Sequence, residues 1–243
     1  MENEKSGSFE FYKDYVDKVM NAQPEYYSEM ISIINKEINN FILTNSRKPI
    51  ILDVGSAGIF PYDTKLAERI IILDLFAKPE NIELMVNGEW CVGDILSENI
   101  CIDLDKEVKC DFIIMSSVLH HLCGPKNDIL KNLSICFKNC SKLLSSEGKL
   151  LIFESTCSSL IAKIEDLLYP LYTLILTKVM KFTYVRMLSI KEISESLNKS
   201  GFDMEILPYK QPQYIIQLFW RVPTKIYPLK VNAFRASKRM FID

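Results

Sequence analysis

A chain of 243 residues is long enough for one α/β domain with a full core, and 48% hydrophobic with 25% charged residues is an ordinary balance for a folded soluble protein. A formal net charge of -2 gives no global attraction to nucleic acid, and the basic C-terminal end (Lys225, Lys230, Arg235, Lys238, Arg239) reads as a solvated tail. The opening Met1-Glu2-Asn3-Glu4-Lys5 is polar and leads into no apolar core of a signal peptide, so a cytoplasmic protein is expected. Seven cysteines, at 91, 101, 110, 123, 136, 140 and 157, are odd in number and share no spacing, as reduced, packed thiols do. Cys136 and Cys140 lie one helical turn apart, but they lack a second pair or a nearby histidine, so no metal site is expected.

In chain order, residues 9–44 carry a helical pattern: Phe11, Tyr12, Tyr15 and Val19, then Met30, Ile33, Ile34, Ile38 and Ile42, with a break expected at Pro24. Five apolar runs follow, each reading as a buried strand: 49–55, 69–74, 90–94, 111–117 and 149–154. Between the last two, residues 126–144 place Ile129, Leu130, Leu133, Phe137, Cys140 and Leu144 on one stripe of a helix, with Gly148 as its stop. A second helix is expected over 190–200, from Ser189 to Gly201, and two further strands near 204–207 and 214–220. Strands alternating with helices predict a mostly parallel sheet covered on both faces, a three-layer α/β sandwich. No repeat or linker divides the chain, so a single domain is expected. Its parts are a helical cap (1–48), a core (49–155), a helical insert (156–188) and a C-terminal part (189–243).

In such sheets ligands gather at the carboxyl ends of the strands. That is where the polar residues of interest fall. Leu52-Asp53-Val54-Gly55-Ser56-Ala57-Gly58 ends the first strand in small residues, which let a nucleoside cofactor approach the backbone; by itself it is equally a plain strand-to-helix turn. Asp74 ends the second strand about twenty residues on, where a carboxylate accepts from both hydroxyls of a ribose. Gly93-Asp94-Ile95 follows the third strand, an acceptor for an adenine amine beside an aliphatic ring contact. Ser116-Ser117-Val118-Leu119-His120-His121-Leu122 follows the fourth.

Together these four segments resemble the class I S-adenosylmethionine-dependent methyltransferases, in particular the small-molecule branch with a Val-Leu-His-His-Leu segment after strand four. The resemblance covers residues 49–155 well and 186–220 more loosely. It implies a Rossmann-like, mostly parallel seven-stranded sheet with an antiparallel last strand, and S-adenosylmethionine as cofactor. Carried over, it places Asp53, Gly55, Ser56 and Ala57 along the methionine end, with Ser116 beneath it. Asp74 would hold the ribose with Leu75 against the adenine, and Asp94 would meet the adenine amine with Ile95 on the ring. The family's Asp-x-Gly-x-Gly-x-Gly loop is altered here, since Ala57 and Ile59 occupy its second and third glycine positions and Gly58 falls one place early. That implies a different loop path at 56–60, running on through Phe60-Pro61-Tyr62-Asp63 as a distinctive pocket wall.

His120 and His121 are the chain's two histidines. A neutral imidazole accepts a proton near neutral pH, as transfer to a hydroxyl requires. Neighbours at such a turn point different ways, so His121 is expected to face the methyl acceptor and His120 to serve structure. The apolar run 167–180, broken by Pro170 and Lys178, is too short to span a bilayer. It reads first as extra core, otherwise as a lid over an apolar acceptor, a peripheral membrane contact or a dimer surface. The tyrosines at 12, 15, 26 and 27 are candidates to close the cofactor site.

The function expected is methyl transfer (EC 2.1.1) to a small apolar or aromatic molecule, with oxygen favoured as the atom methylated, by a monomer or homodimer. The alternative is a non-catalytic cofactor-binding or partner module on the same fold. A nicotinamide oxidoreductase is excluded by the missing Gly-x-Gly-x-x-Gly and by the absence of a tyrosine–lysine pair four residues apart.

Overall fold

Four of the five apolar runs become the centre of one sheet, while the run at 90–94, expected to be buried, forms its partly exposed edge strand. The computed structural model describes residues 24–78, 83–100, 109–122, 128–174, 185–217, 220–225 and 227–239. Its strands are β1 (Ile50–Val54), β2 (Arg69–Asp74), β3 (Gly88–Val92), β4 (Cys110–Ser116), β5 (Leu144–Cys157), β6 (Leu188–Ser189), β7 (Phe202–Leu207), β8 (Tyr214–Gln217), β9 (Trp220–Pro223) and β10 (Lys230–Lys238). The helices are α1 (Pro24–Asn45), α2 (Ile129–Leu143), α3 (Ser159–Leu174) and α4 (Ile190–Lys199), with single 3-10 turns at Thr64–Leu66 and Leu119–His121.

The main sheet runs β3-β2-β1-β4-β5-β10-β7, with short β6 also paired to β5. Strands β1 to β6 pair in parallel, and β10 is antiparallel to both β5 and β7. From β1 the chain steps one way to β2 and β3, then returns to β4 and β5 on the other side. The crevice between β1 and β4 is therefore the topological switch point, where such sheets bind ligands.

Side-chain alternation sorts each strand between two cores. Leu52, Val54, Ile71, Leu73, Ile113 and Met115 join a cluster with Leu133 and Phe137 of α2 and Ile193 and Leu197 of α4. Ile51, Ile70, Ile72, Phe112 and Ile114 join Met30, Ile34 and Ile38 of α1 on the opposite face. Those three α1 residues are fully buried, each contributing about 1.5–3 kcal/mol. Glu37 of α1 receives Lys149 at 3.0 Å and Arg235 at 2.7 Å, which ties that helix to the sheet.

Several expectations change. The break expected at Pro24 falls at the first described residue of α1, and residues 9–23 lie outside the described residues. Gly148 does not stop α2. That helix ends at Leu143, and Gly148 lies inside β5 at an irregularity in its pairing with β4, where an added Cβ would stand 2.9 Å from the Cys110 carbonyl oxygen. The strand expected at 214–220 is split into the β8–β9 hairpin, which forms its own two-stranded sheet.

The basic tail is no solvated end: β10 sits inside the main sheet. Val231, Ala233, Phe234 and Ala236 are buried, while Arg235 reaches Glu37 and Glu205 and Lys238 donates to the Leu144 carbonyl. The insert contains the expected helix, but α3 is not extra core. Ala162 and Tyr169 are buried, whereas Leu160, Ile164, Leu167, Leu168, Leu171 and Leu174 are exposed. Residues 175–184 of the insert lie outside the described residues. Among the described residues no helix is long and apolar enough to cross a membrane.

Candidate active site

Two groups of polar residues occupy the carboxyl edge of the sheet, one on each face. On the α1 face, alternation brings Asp53, Asp74 and Ser116 together at the ends of adjacent strands β2, β1 and β4. Asp53 is 2% exposed and accepts a 2.8 Å hydrogen bond from the Tyr62 hydroxyl. Burial, partly offset by that bond and reinforced by the nearby Asp74 charge, raises its pKa to about 7. Asp74 is also buried, and its carboxylate accepts the Ala57 and Phe76 N–H groups at 3.2 and 3.1 Å. Desolvation raises its pKa, opposed by those N–H groups. Ser116 Oγ lies 3.4 Å from the Met30 sulfur of α1.

The loop after β1 makes up for its altered glycines by backbone conformation. Gly55, Ala57 and Gly58 all have positive φ, at 67°, 49° and 82°. A side chain at Gly55 would also press on Val118, at 3.1 Å. Alanine in the left-handed region is strained, and such strain gathers at functional sites. The Ile59 N–H closes the turn on the Ser56 carbonyl at 2.9 Å. Ser56 Oγ is buried with no hydrogen-bond partner among the described residues, a donor and acceptor available to a ligand. Ser117, after β4, is a second strained residue with φ 56°.

Further along the edge, Asp94 is exposed and accepts the Leu96 N–H at 2.8 Å. Leu75 is 63% exposed, an apolar surface facing outward. Ile95 goes the other way: it is 5% exposed and packs in the α2-side core.

The second group lies on the α2 side. Glu154, fully buried in β5, accepts the Leu119 N–H at 2.8 Å, the Ser155 N–H at 2.9 Å and His120 Nδ1 at 2.7 Å. His120 is thus held in place, its side chain 14% exposed. Burial opposes its charged form, but the Glu154 carboxylate outweighs that and raises its pKa. Its carbonyl accepts the N–H of Arg186, a buried side chain that bridges Asp166 of α3 and Glu192 of α4, each at 2.7 Å. His121 is exposed, yet hemmed in by protein. That desolvation, with the charge of His120, holds its pKa well below the ordinary value. The two histidines do not diverge as expected: their rings lie side by side, 4.1 Å between centroids.

The sequence-selected residues therefore divide. Asp53, Gly55, Ser56, Ala57, Asp74 and Ser116 meet at one crevice, with Leu75 and Asp94 farther along the edge. Glu154 was not among them, and Tyr62 was expected only as part of a pocket wall. Glu154 ends an apolar run just as Asp53 and Asp74 do, so the same rule applied to the fifth strand finds it. Nothing local marks Tyr62 as Asp53's partner.

No protein-family model and no curated protein matches the chain. Solved structures do. The CurJ carbon methyltransferase superposes with a TM-score of 0.54 at 19% identity, covering 86% of this chain and 54% of its own. The pyocyanin biosynthetic protein PhzM gives 0.51 at 15%, with 90% and 56% covered. The 1,6-didemethyltoxoflavin-N1-methyltransferase of Burkholderia thailandensis gives 0.50 at 15%, with 94% and 87% covered. The chain spans about half the length of the first two. With its strand order, antiparallel β10 and loaded switch point, the chain has the fold of the class I S-adenosylmethionine-dependent methyltransferases.

Proposed function

We propose that the chain is an S-adenosylmethionine-dependent methyltransferase acting on a small molecule. The observation that carries this reading is the convergence of Asp53, Asp74, Ser116 and the Gly55–Gly58 turn at the switch point of a methyltransferase fold. These residues fit the cofactor. Asp74 has a carboxylate for the ribose hydroxyls, Ser56 has a buried hydroxyl with no partner among the described residues, and Asp53 has acceptor capacity for the methionine ammonium. Leu75 offers an apolar face to the adenine, with Asp94 exposed for its amine.

When bound, the cofactor supplies an activated methyl group on a sulfonium. The protein's share is to align the acceptor and take its proton. His121 is the proposed base: it is exposed, and held neutral at physiological pH by its surroundings. Glu154 fixes His120 beside it. Because alignment supplies much of the rate in such transfers, His121→Ala is expected to lower turnover by about 10²–10⁴-fold. A neutral imidazole suits a hydroxyl acceptor, and the exposed leucines of α3 favour an apolar or aromatic one.

Calorimetric titration with S-adenosylhomocysteine tests the reading. Micromolar binding is expected, and it should be lost in Asp74→Ala. No binding to a well-folded sample overturns it and leaves the non-catalytic alternative.

A further inference from the structure

We propose that the outward face of α3 is the seam of a homodimer, in which the same helix of a second copy packs against it antiparallel. This goes beyond the cofactor reading and does not depend on it.

Leu160, Ile164, Leu167, Leu171 and Leu174 are exposed and follow one another in steps of four and three residues. That spacing sets them in one straight stripe along the helix, the pattern by which a helix packs against another helix. Ala162 and Tyr169, two turns apart on the opposite side, are buried. The same side ties α3 to its own domain: Asp166 pairs with Arg186 at 2.7 Å, and Glu165 accepts the Met187 N–H at 3.2 Å. The stripe therefore points away from the contacts that hold the helix.

Those contacts are thin support for a 16-residue helix with Pro170 inside it. An interior proline removes a helical hydrogen bond, at a cost of about 3 kcal/mol. With Leu168 at its flank, the stripe exposes roughly 600–700 Å² of surface per copy, more than the largest apolar patch of an ordinary monomer and most of the ~800 Å² that each partner gives to a stable interface.

The occupant is a second copy because the stripe is complementary to itself. It is leucine and isoleucine throughout, so a two-fold axis across it sets apolar groups against apolar groups at every level. In the antiparallel arrangement Ile164 of each copy lies against the other's Leu167, and Leu160 against Leu171. The helix dipoles then oppose, and Lys163 beside the stripe meets the C-terminal half of the other helix, where a cation is favoured. A lipid surface selects for basic residues along the polar flanks. Here one flank carries Ile161 and Leu168, and the other Lys163 and Pro170. These are also the leucines that favour an apolar acceptor, and a second copy takes them out of the acceptor's reach.

The test is sedimentation velocity of the full chain from about 1 to 100 µM. A species of twice the 28.1 kDa chain mass is expected to build up with concentration. Ile164→Lys and Leu167→Glu, both at exposed positions, should each keep the wild-type circular dichroism and weaken self-association by about tenfold or more. Mixing the two variants in equal amounts should restore a dimer. The introduced charges then face each other in one layer, while the other layer keeps Ile164 against Leu167. A wild type that stays monomeric throughout overturns the proposal and leaves the leucines to an acceptor, a lipid surface or residues outside the described ones. A dimer indifferent to both substitutions overturns it too, as do folded monomeric variants that fail to associate when mixed.

Discussion

Glu154 and Asp53 are buried carboxylates at the same edge of one sheet, on opposite faces, and the fold treats them in opposite ways. Glu154 is surrounded by donors, two backbone N–H groups and the His120 ring within 2.9 Å. Asp53 has, among the described residues, one hydroxyl and a neighbouring carboxylate. A saturated carboxylate holds its neighbours in place and has little left for a ligand. An undersupplied one is a cost in the free protein that a ligand relieves. The difference separates the group that positions from the group that binds, although both are equally buried and both end an apolar run.

The largest effect that would sharpen this contrast is on stability. Glu154→Ala leaves two N–H groups and His120 without their acceptor, and is expected to cost about 3–5 kcal/mol in denaturant unfolding. A cost below about 1 kcal/mol would erase the distinction. Asp53→Asn should behave differently. The folded-state pKa of about 7 lies above the unfolded value, so the folded protein binds more protons between roughly pH 4 and pH 7, and this group's contribution declines as pH rises through that window. Relative to Asp53→Asn, the wild type should lose on the order of a few kcal/mol between pH 4 and pH 8. Parallel pH profiles would break the comparison.

A smaller effect comes from Tyr62→Phe, which removes the hydrogen bond without its ring packing. About 1–2 kcal/mol is expected at pH 8, where Asp53 is charged, and less at pH 6. Equal costs at both values would mean the hydroxyl does not distinguish the two states of the carboxylate. The smallest is Gly55→Ala, whose positive φ and contact with Val118 predict a loss of about 1 kcal/mol, read as a shifted unfolding midpoint.

The sequence was most legible where local pattern and burial coincide. The runs that became β1, β2 and β4 are apolar on both faces because both faces are covered, and a polar residue can end such a run where the strand meets the crevice. The Ser189 start of α4 was readable as a cap, and it is one: its hydroxyl accepts from Glu192, which answers in a capping box. β10 was not legible. Lys230, Arg235 and Lys238 look like a solvated end until Glu37, Glu205 and the Leu144 carbonyl, all distant in sequence, supply their partners.

By itself, then, the sequence determined the alternation of strands and helices, the strand ends carrying Asp53, Asp74 and Ser116, and the paired histidines. These depend on period and on neighbours in the chain. Only the tertiary structure decided that the tail enters the sheet, that α3 turns a row of leucines outward, that Glu154 holds His120, and that Asp53 has Tyr62 as its donor. Each of those depends on which distant groups share a buried space, because the cost of a buried charge is set by the partners that surround it.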